Sequence, residues 1–592
     1  MKNLCYLLLI LILIFSGCKK DDQDSDTIEI PFGDDNFLYA LIERGVDTNG
    51  DSIISPAEAE AVVTLDISFE VNCHDCYQYP GAPICCNYGS ISSLQGIELF
   101  INLDTLKCSG NIIDSINLTY NTLLRYLDCS NDGDSILKRL DISKCTLLTY
   151  LNCSQNDITE LDVSNNTGLK ELYCYGNKIT SLDISGCNSL INLKCCENEL
   201  ASLDISSGSE LIDLDCSNNQ LTSLNVGGCN SLINLNCSGN QLTSLDISSS
   251  NELINLDCCN NQLTNLDIST NIALKTLSCC NNHFTSLDAS GCSLLSSINC
   301  ESEYLTHLNL SGTALTSFSN DGGVLLELDV SNCRNLKDLV CTGSDINKLS
   351  LTGSDSLVVL NCSGNDLTSL DVSDNTKLSI LNCSGNILTI LDVFNNKVIS
   401  EIYCSGNNLE ELDLTENTVL KDLDCSDNNL TNLDLSQSIA LKHLYCVNNQ
   451  LTNLDVSACT SLTRLDCMEN DLTTLNLSAN ESLRCLYCSN NKLTSLILPF
   501  NLYGPLYCDH NELSGIDLSQ CTNLGGTLAL SNNVLTVLDL SSNIELDSIS
   551  VENMPTLNEI CVWEGFQNVV YVEKEGSPNA YFTTECSSKI RL

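Results

Sequence analysis

The feature that most constrains this chain is a segment of 21 residues that repeats along most of its length. It is clearest from Leu190 to Gln262, where each unit follows the pattern L-x-x-L-x-C-x-x-N-x-L-x-x-L-D. One cysteine per unit marks the period: Cys153, Cys174, Cys195, Cys216, Cys237, Cys258, Cys279 and Cys300, then Cys341, Cys362, Cys383, Cys404, Cys425, Cys446, Cys467, Cys488 and Cys508. A fixed period of about 20 to 50 residues is typical of a solenoid, in which each coil buries its apolar face against its neighbours.

The repeat resembles the leucine-rich repeat, with cysteine in the last apolar position of a short strand. It is similar to the short bacterial type found in internalin-like proteins and in surface lipoproteins of Bacteroidota. The resemblance covers residues 91–560. It implies an α/β-type solenoid, a right-handed arc of about 22 coils that is mostly β and loop, with a parallel β-sheet on its concave face.

The residues support the same fold on physical grounds. Side chains alternate across a strand, so Leu193 and Cys195 point inward while Lys194 and Cys196 point outward. Stacked coils then build a parallel sheet. An asparagine follows each cysteine by three residues, and we expect its amide to satisfy buried backbone groups that would otherwise cost about 1–3 kcal/mol each. These residues include Asn156, Asn177, Asn198, Asn219, Asn240, Asn261 and Asn282.

The charge of the chain excludes one class of partner. Its 592 residues carry a formal net charge of −50, which argues against nucleic acid because phosphate binding requires Lys and Arg. Much of this charge follows the Leu-Asp step of the repeat, and the column includes Asp162, Asp183, Asp204, Asp246 and Asp267. We interpret the column as a solvated face; weak binding of divalent cations is the alternative.

The first residues predict export. Residues 1–17 have a charged start, an apolar run and small residues before Cys18, as in a signal peptide. Gly17-Cys18 resembles a bacterial lipobox, which implies that Cys18 carries lipid; an ordinary signal peptide with a chance cysteine is the alternative. Residues 18–36 form an acidic tether, similar to the export signal of surface lipoproteins, although a plain linker explains it equally well. The protein is thus expected to be exported, lipid-anchored to the bacterial outer membrane and surface-exposed.

Residues 37–68 predict a helical N-terminal cap with a loop that resembles an EF-hand. The resemblance implies a Ca²⁺ site, the only cofactor expected, whose oxygen ligands have the spacing of a seven-coordinate ion. These ligands are Asp47, Asn49, Asp51, Ile53 through its carbonyl, Ser55 and Glu58. Ser52 stands where such loops usually carry glycine. Ser55 to Glu58 also forms a capping box with Pro56 at the first helical position, which explains Glu58 without metal.

Two further groups of cysteines lie outside the segment in which one cysteine marks each 21-residue unit. Residues 69–90 contain Cys73, Cys76, Cys85 and Cys86, a zinc-like pattern that export makes more compatible with disulfides; the sequence does not give the pairing. Residues 561–592 depart from the repeat and form a predicted C-terminal cap, with Cys561 and Cys586 as a candidate disulfide. The repeating cysteines are interpreted as structural thiols, whereas Cys259 and Cys280 face outward on adjacent coils and could react.

Function is expected on the concave face. The five histidines are scattered, and the sequence shows no phosphate loop and no HExxH, so an enzyme is not expected. Tyrosine favours interfaces but also suits strands. Two outward-facing groups stand out: Tyr126, Tyr150, Tyr173 and Tyr175, then Tyr403, Tyr445, Tyr487 and Tyr507 with His443 and Arg464.

These residues predict a monomeric, non-enzymatic adhesion or recognition protein that binds a protein or glycan at the cell surface. The alternative is a structural envelope spacer or stalk without a specific ligand.

One coil breaks the pattern. Between Cys300 and Cys341 the cysteine position holds Asn320, and the asparagine position holds Glu303, Gly323 and Ser344 in three consecutive coils. Neutral decay of one coil explains this, and a bend or ligand notch is the alternative. Either explanation predicts the weakest internal point of the solenoid, because a polar residue in an apolar column must find a partner.

Overall fold

The computed structural model describes residues 32–69, 90–131, 137–206, 208–500, 502–566 and 570–586. It forms two units: Met1–Leu190 with Glu197–Glu199, and Ile191–Cys196 with Leu200–Leu592. Cys18, the tether up to residue 31, and the four cysteines Cys73, Cys76, Cys85 and Cys86 lie outside the described residues. Among the described residues, no helix combines the length and apolarity required to cross a membrane.

Two short helices open the first unit. Helix α1 spans Asp35–Glu43 and helix α2 spans Pro56–Ala61. Asp34 caps α1 by accepting from the Asn36 N–H at 2.8 Å, and it also accepts from the Ser92 N–H at 2.6 Å. Because the capping carboxylate binds the first regular coil as well, the helix is anchored to the end of the stack.

Three-residue strands, one per coil, build the main sheet of the first unit. They are β1 (Thr64–Asp66), β2 (Thr105–Lys107), β4 (Tyr126–Asp128), β6 (Tyr150–Asn152) and β7 (Glu171–Tyr173). Neighbours pair in parallel and in register, as Tyr126 with Tyr150 shows. A second pair, β3 (Ile116–Asn117) and β5 (Leu140–Asp141), lies at the Leu-Asp step. The sheet therefore begins inside the segment predicted as the helical cap.

The second unit continues the same plan with two runs of main-sheet strands. The first run is β8 (Asn192–Lys194), β9 (Asp213–Asp215), β10 (Asn234–Asn236), β11 (Asn255–Asp257), β12 (Thr276–Ser278) and β14 (Ser297–Asn299). The second run is β16 (Ser317–Asp321), β18 (Asp338–Thr342), β20 (Val359–Asn361), β21 (Ile380–Asn382), β22 (Glu401–Tyr403), β23 (Asp422–Asp424), β24 (His443–Tyr445), β25 (Arg464–Asp466), β27 (Cys485–Tyr487), β29 (Leu506–Tyr507), β30 (Gly526–Ala529), β32 (Leu546–Ser550) and β34 (Tyr571–Glu573).

Smaller sheets form at the Leu-Asp step of the second unit. The first contains β13 (Ser286–Asp288), β15 (His307–Asn309), β17 (Glu327–Asp329) and β19 (Lys348–Ser350); the second contains β26 (Thr474–Asn476) and β28 (Ser495–Ile497); the third contains β31 (Val537–Asp539), β33 (Glu559–Cys561) and β35 (Tyr581–Thr583). The predicted parallel-sheet solenoid of about 22 turns with little helix is confirmed.

The core is the stack of inward leucines and cysteines. Leu235 and Leu256 are at most 2% exposed, and Cys237 and Cys258 are fully buried. Each coil buries its apolar side chains against its neighbours, because a single three-residue strand offers too little apolar surface to fold alone.

The residue that follows each strand turn adopts a left-handed backbone. Two residues after the cysteine, φ is +52° at Asn218, +65° at Gly239 and +55° at Asn260. Glycine and asparagine tolerate this region better than other residues, which explains why they hold this position in most coils, although Glu197 and His510 adopt it as well.

The asparagine ladder works as the sequence predicts. Asn240 Nδ2 donates to the carbonyl of Cys237 at 3.0 Å in its own coil and to that of Cys216 at 3.0 Å in the preceding coil. Its Oδ1 accepts from the Leu221 N–H at 3.0 Å. One side chain, 8% exposed, thus satisfies three backbone groups and joins two coils.

A second ladder of buried side chains, not predicted from the sequence, lies in the turn between consecutive strands. Asn271 is fully buried and donates to the carbonyls of Ile247 at 3.1 Å and Ser250 at 2.9 Å. The same position is occupied by asparagine, cysteine, serine or threonine, except for Gly208 in one coil: Asn121, Cys145, Asn166, Cys187, Cys229, Ser250, Asn271, Cys292, Thr313, Cys333, Ser354, Asn375, Asn396, Asn417, Ser438, Cys459, Asn480, Cys521 and Asn543. Each of these side chains is buried. Several cysteines that do not belong to the 21-residue series beginning at Cys153 therefore belong to this second column.

The irregular coil divides the main sheet of the second unit. Strand β14 ends the first run and β16 begins the second, and the two do not pair. Asn320 does stand in the cysteine column, opposite Cys341. Its Nδ2 donates to Ser344 Oγ at 3.3 Å, and the Gly323 N–H donates to the same oxygen at 3.1 Å. The break lies where the two sequence columns fail.

The broken segment is expected to open before the coils on either side. Amide protons from about Ser302 to Ser344 should exchange faster than those of coils 195–279 and 362–488, because β14 and β16 do not pair with each other and the ladder asparagine is missing from these coils. Hydrogen exchange followed by mass spectrometry of overlapping peptides measures this. Equal protection in all three segments would contradict a weak point here.

Candidate recognition surface

The strand face comprises the side chains that point outward from the main-sheet strands. In most three-residue strands the middle residue is buried and its two neighbours are at least partly exposed, as in β24 and β25. Because coils stack in register, equivalent outward residues form columns that run across the sheet. A partner that binds the strand face would contact these columns of side chains.

The first tyrosine cluster lies in the first unit. The rings of Tyr126 and Tyr150 stack with centroids 4.0 Å apart and planes 4° apart, and Tyr173 continues the row 5.6 Å from Tyr150. Lys107 Nζ lies 5.7 Å from the Tyr126 centroid. Burial against its neighbours raises the pKa of Tyr150, so its hydroxyl is neutral at physiological pH. Tyr175 follows β7 and lies beyond the strand that carries Tyr173.

The second cluster lies in the second unit and is centred on Arg464. The register places Asp466 opposite Tyr445 on one side and opposite Tyr487 on the other. The Arg464 guanidinium lies 5.1 Å from the Tyr445 centroid and 4.7 Å from that of Tyr487. Tyr507 stacks on Tyr487 with centroids 5.1 Å apart. We call Tyr445, Arg464, Tyr487 and Tyr507 the arginine–tyrosine cluster.

Asp466 lies beneath this cluster, beside the Arg464 guanidinium. It lies 4.0 Å from an Arg464 terminal nitrogen, and its side chain is 13% exposed. Burial raises its pKa. Arg464 Nε and Asp466 Oδ1 are both buried and make no hydrogen bond within the described structure. Cation–π attraction stabilises an arginine between two aromatic faces. Leaving Arg464 Nε and Asp466 Oδ1 buried without a hydrogen bond costs free energy of folding.

Tyr403 and His443 lie at the edge of the cluster. Tyr403 donates its hydroxyl to Glu401 at 3.1 Å, and the register places Asp424 between Tyr403 and Tyr445. The His443 imidazole contacts the Asp422 carboxylate. The structure thus brings Tyr445 and Tyr487 together around Arg464, with Tyr507 stacked on Tyr487, and leaves Tyr403 two strands away from Tyr445.

The strand face is small and polar over β9 to β12. Strands β9 to β12 present mostly Asp, Asn, Thr and Ser outward, and these residues line a shallow groove of about 430 Å³. Uniform polar side chains indicate a stalk, and uneven ones indicate a binding surface. The second unit carries both, because the polar stretch of β9 to β12 is followed further along by outward Val359 and Ile380 and by the arginine–tyrosine cluster.

The N-terminal loop has the turns that a cation-binding loop requires. Asp47 accepts from the N–H groups of Gly50 at 2.7 Å and Ser52 at 2.9 Å. Asn49 accepts from the Asp51 N–H at 2.8 Å. Each of these oxygens accepts one hydrogen bond and keeps a lone pair for a metal ion. Ser52 has a φ of +65°, so it makes the sharp turn that glycine usually makes.

Glu58 has a different environment. Its two carboxylate oxygens accept from the N–H and hydroxyl of Ser55, each at 2.9 Å, and from those of Thr48, each at 2.8 Å. These bonds, led by the Ser55 N–H, lower the pKa of Glu58 to about 2. The predicted capping box is present. With two donors on each oxygen, Glu58 would have to release part of the cap to bind a metal ion.

Most described cysteines are buried thiols, four form disulfides, and Cys196 and Cys485 are partly exposed. Burial raises the pKa of Cys153 and Cys237 to about 12, so these ladder thiols are protonated at neutral pH and poor nucleophiles. Cys259 and Cys280, on adjacent coils, form a disulfide. Cys561 and Cys586 form another. Asp539 lies close to that second pair, but sulfur atoms in a disulfide are not thiolate ligands, so we assign no metal there.

Comparisons with known proteins agree with this architecture. The model of the family "Leucine Rich repeats (2 copies)" matches residues 146–186. The functional domain of InlJ from Listeria monocytogenes, described as including a cysteine ladder, is 30% identical, with 69% of this chain and 77% of that chain covered and a TM-score of 0.44. No curated protein matches the chain by sequence.

Two further solved structures are more distant. YopM from Yersinia enterocolitica is 21% identical, with 87% of this chain and 100% of that chain covered and a TM-score of 0.44. An internalin, inlF, from Listeria monocytogenes is 18% identical, with 78% and 98% covered and a TM-score of 0.21. The repeat, the family match and the InlJ identity together show that the chain belongs to the leucine-rich repeat proteins, with internalin-like structural neighbours.

Proposed function

We propose that this protein is a non-enzymatic recognition protein that binds a partner protein through its strand face. The leucine-rich repeat solenoid is typically an interaction scaffold rather than an enzyme. The observation that carries the proposal is the arginine–tyrosine cluster. Aromatic residues and arginine are enriched at interfaces, and they supply most of the residues whose loss costs binding energy.

The geometry of the cluster supports this role over simple strand propensity. A tyrosine chosen only for its strand preference would not require an arginine between its ring and the next. Here Arg464 is fixed by two rings and by Asp466, so few rotamers remain to be lost on binding. A pre-ordered aromatic and cationic surface lowers the entropic cost of association.

Changing the pair of rings that flank Arg464 tests the proposal. Tyr445→Ala/Tyr487→Ala should weaken partner binding by about 2 kcal/mol or more, the size of a typical hot spot. The partner would first be captured from host and bacterial surface extracts with a soluble form that begins at residue 32 and so keeps the Asp34 cap. Affinity is then measured by calorimetry or surface plasmon resonance.

Two controls make that experiment specific. Tyr571→Ala removes a tyrosine that is 67% exposed in β34, outside the cluster, and should leave affinity unchanged. Tyr445→Phe/Tyr487→Phe keeps the rings and should retain most of the affinity. If the double alanine variant binds as tightly as wild type and melts at the same temperature, the tyrosines serve strand stability only. A captured glycan instead of a protein would correct the class of partner.

We also propose that the protein is displayed at the cell surface by lipid on Cys18, since Gly17-Cys18 ends an apolar run. Labelling growing cells with a fatty-acid analogue should mark the wild-type protein and leave Cys18→Ala unmarked, because the thiol is the attachment atom. Equal labelling of both proteins would exclude Cys18 as the site. Protease treatment of intact cells then distinguishes outward display from an inward-facing anchor.

A third part of the proposal is Ca²⁺ binding by the N-terminal loop, supported by the oxygens of Asp47, Asn49 and Asp51. Calorimetry should record a heat of Ca²⁺ binding that Asp47→Ala/Asp51→Ala abolishes, because two carboxylate ligands are lost. Glu58→Gln should melt earlier even in a chelator, because the cap loses acceptor strength. Absence of Ca²⁺ heat in the wild type would leave Glu58 as a helix cap alone.

A further inference from the structure

The interrupted sheet of the second unit leaves two strands with unpaired edges. Strand β12 pairs with β14 and β16 pairs with β18, but β14 and β16 do not pair. At the Leu-Asp step the same coils remain joined, because β15 pairs with β13 and with β17. The stack is therefore closed at the Leu-Asp step and open at the main sheet.

The open edges present backbone groups in a strand-like order. In the preceding coil, Cys279 donates its N–H to the Asn299 carbonyl at 2.8 Å, and Asn281 donates to that of Glu301 at 2.8 Å. Cys300 and Ser302, their equivalents one coil later, make no such backbone bond within the described structure. By the same register, their acceptors would be the carbonyls of Ser319 and Asp321. An extended chain between the edges could accept hydrogen bonds from the N–H groups of Cys300 and Ser302. It could donate hydrogen bonds to the carbonyls of Ser319 and Asp321.

The core is partly uncovered on the β14 side of this gap. Leu277 and Leu339, which hold the inward position in β12 and β18, are fully buried. Ile298, at the equivalent position in β14, is partly exposed, whereas Phe318 at that position in β16 is buried. Asn320, in the cysteine column of β16, is partly exposed. A strand that entered the gap would cover Ile298, so an occupant with apolar residues at alternate positions fits.

Loss of the asparagine ladder, rather than coil length, accounts for the gap. The step from Cys300 to Asn320 is 20 residues, and so is the step from Cys488 to Cys508, where β27 and β29 pair normally. That second coil keeps its ladder, since Asn511 donates to the carbonyl of Cys488 at 3.0 Å. Glu303, Gly323 and Ser344 stand in place of the ladder residues around β14 and β16.

The rim of the gap is acidic. Glu301, Glu303 and Asp321 are exposed beside the two open edges. Unpaired edges are usually protected by lysine, proline or a cover, whereas this rim would attract a basic chain. We propose that the gap between β14 and β16 is a docking slot for an extended basic segment of a partner protein, which binds as an added β-strand. The slot is separate from the arginine–tyrosine cluster and does not depend on it.

A synthetic probe tests the slot without knowledge of the natural partner. The probe is an eight-residue acetylated and amidated peptide of alternating valine and lysine, and its control carries N-methyl groups on the valines. The control keeps charge and side chains but loses alternate N–H donors. Full-length protein in detergent should bind the probe at least ten-fold more tightly than the control, by fluorescence anisotropy. The probe should also slow amide exchange at Cys300 and Ser302.

A repaired protein provides the matched variant. Glu303→Asn/Asn320→Cys/Gly323→Asn/Ser344→Asn restores the cysteine column and the asparagine column. It should close the sheet and weaken binding of the probe peptide at least ten-fold. Tyr445→Ala/Tyr487→Ala should leave probe binding unchanged, so failure of the slot and failure of the proposed function are distinguishable. Equal binding of the probe and its N-methylated control, or no change in exchange at Cys300 and Ser302, would overturn the proposal and show attraction by charge alone.

Discussion

The whole structure depends on satisfying the backbone groups that each coil buries when its chain turns away from the strand. A three-residue strand is followed at once by a turn inside the stack, where water does not reach the carbonyl and N–H groups. The ladder asparagine solves this for two coils together, since Asn386 donates to the carbonyls of Cys383 and Cys362, both at 3.0 Å. Leaving three such groups unsatisfied would cost several kcal/mol per coil, which is why the position tolerates so little change.

This requirement also explains which parts of the fold were predictable. The strict spacing of Cys and Asn follows from a geometry that repeats, so the period, the strand position and the buried ladder could be predicted from sequence. The second ladder was harder to predict, because asparagine, cysteine, serine, threonine and glycine all occur at its position and the longest run of one type, Asn375, Asn396 and Asn417, covers only three coils. Asn271 and Cys292 look unrelated as letters, although each lies in the same buried column.

The site was only partly predictable for a related reason. Outward residues are free to vary, and the tyrosines could be named because they are large and rare against a background of Asp, Asn and Ser. Their arrangement depends on neighbours in three dimensions. Sequence alone did not reveal that Arg464 lies between Tyr445 and Tyr487, nor that Asp466 supports it from the base. Asn320 predicted where the stack would weaken, but the continuous pairing of β13, β15 and β17 behind the gap became visible only in the structure.

The left-handed residue after each cysteine has a consequence for how such a chain changes length. Every regular coil ends in the same turn and offers the next coil the same donors and acceptors, so a coil's two faces are complementary to each other. Inserting or deleting one whole 21-residue unit in the segment from Cys195 to Cys279 would create a junction with the same asparagine-ladder contacts as those already present. Recombination between near-identical coding repeats could therefore lengthen or shorten this protein in steps of one coil, changing the spacing of surface features while preserving the hydrogen bonds of the asparagine ladder.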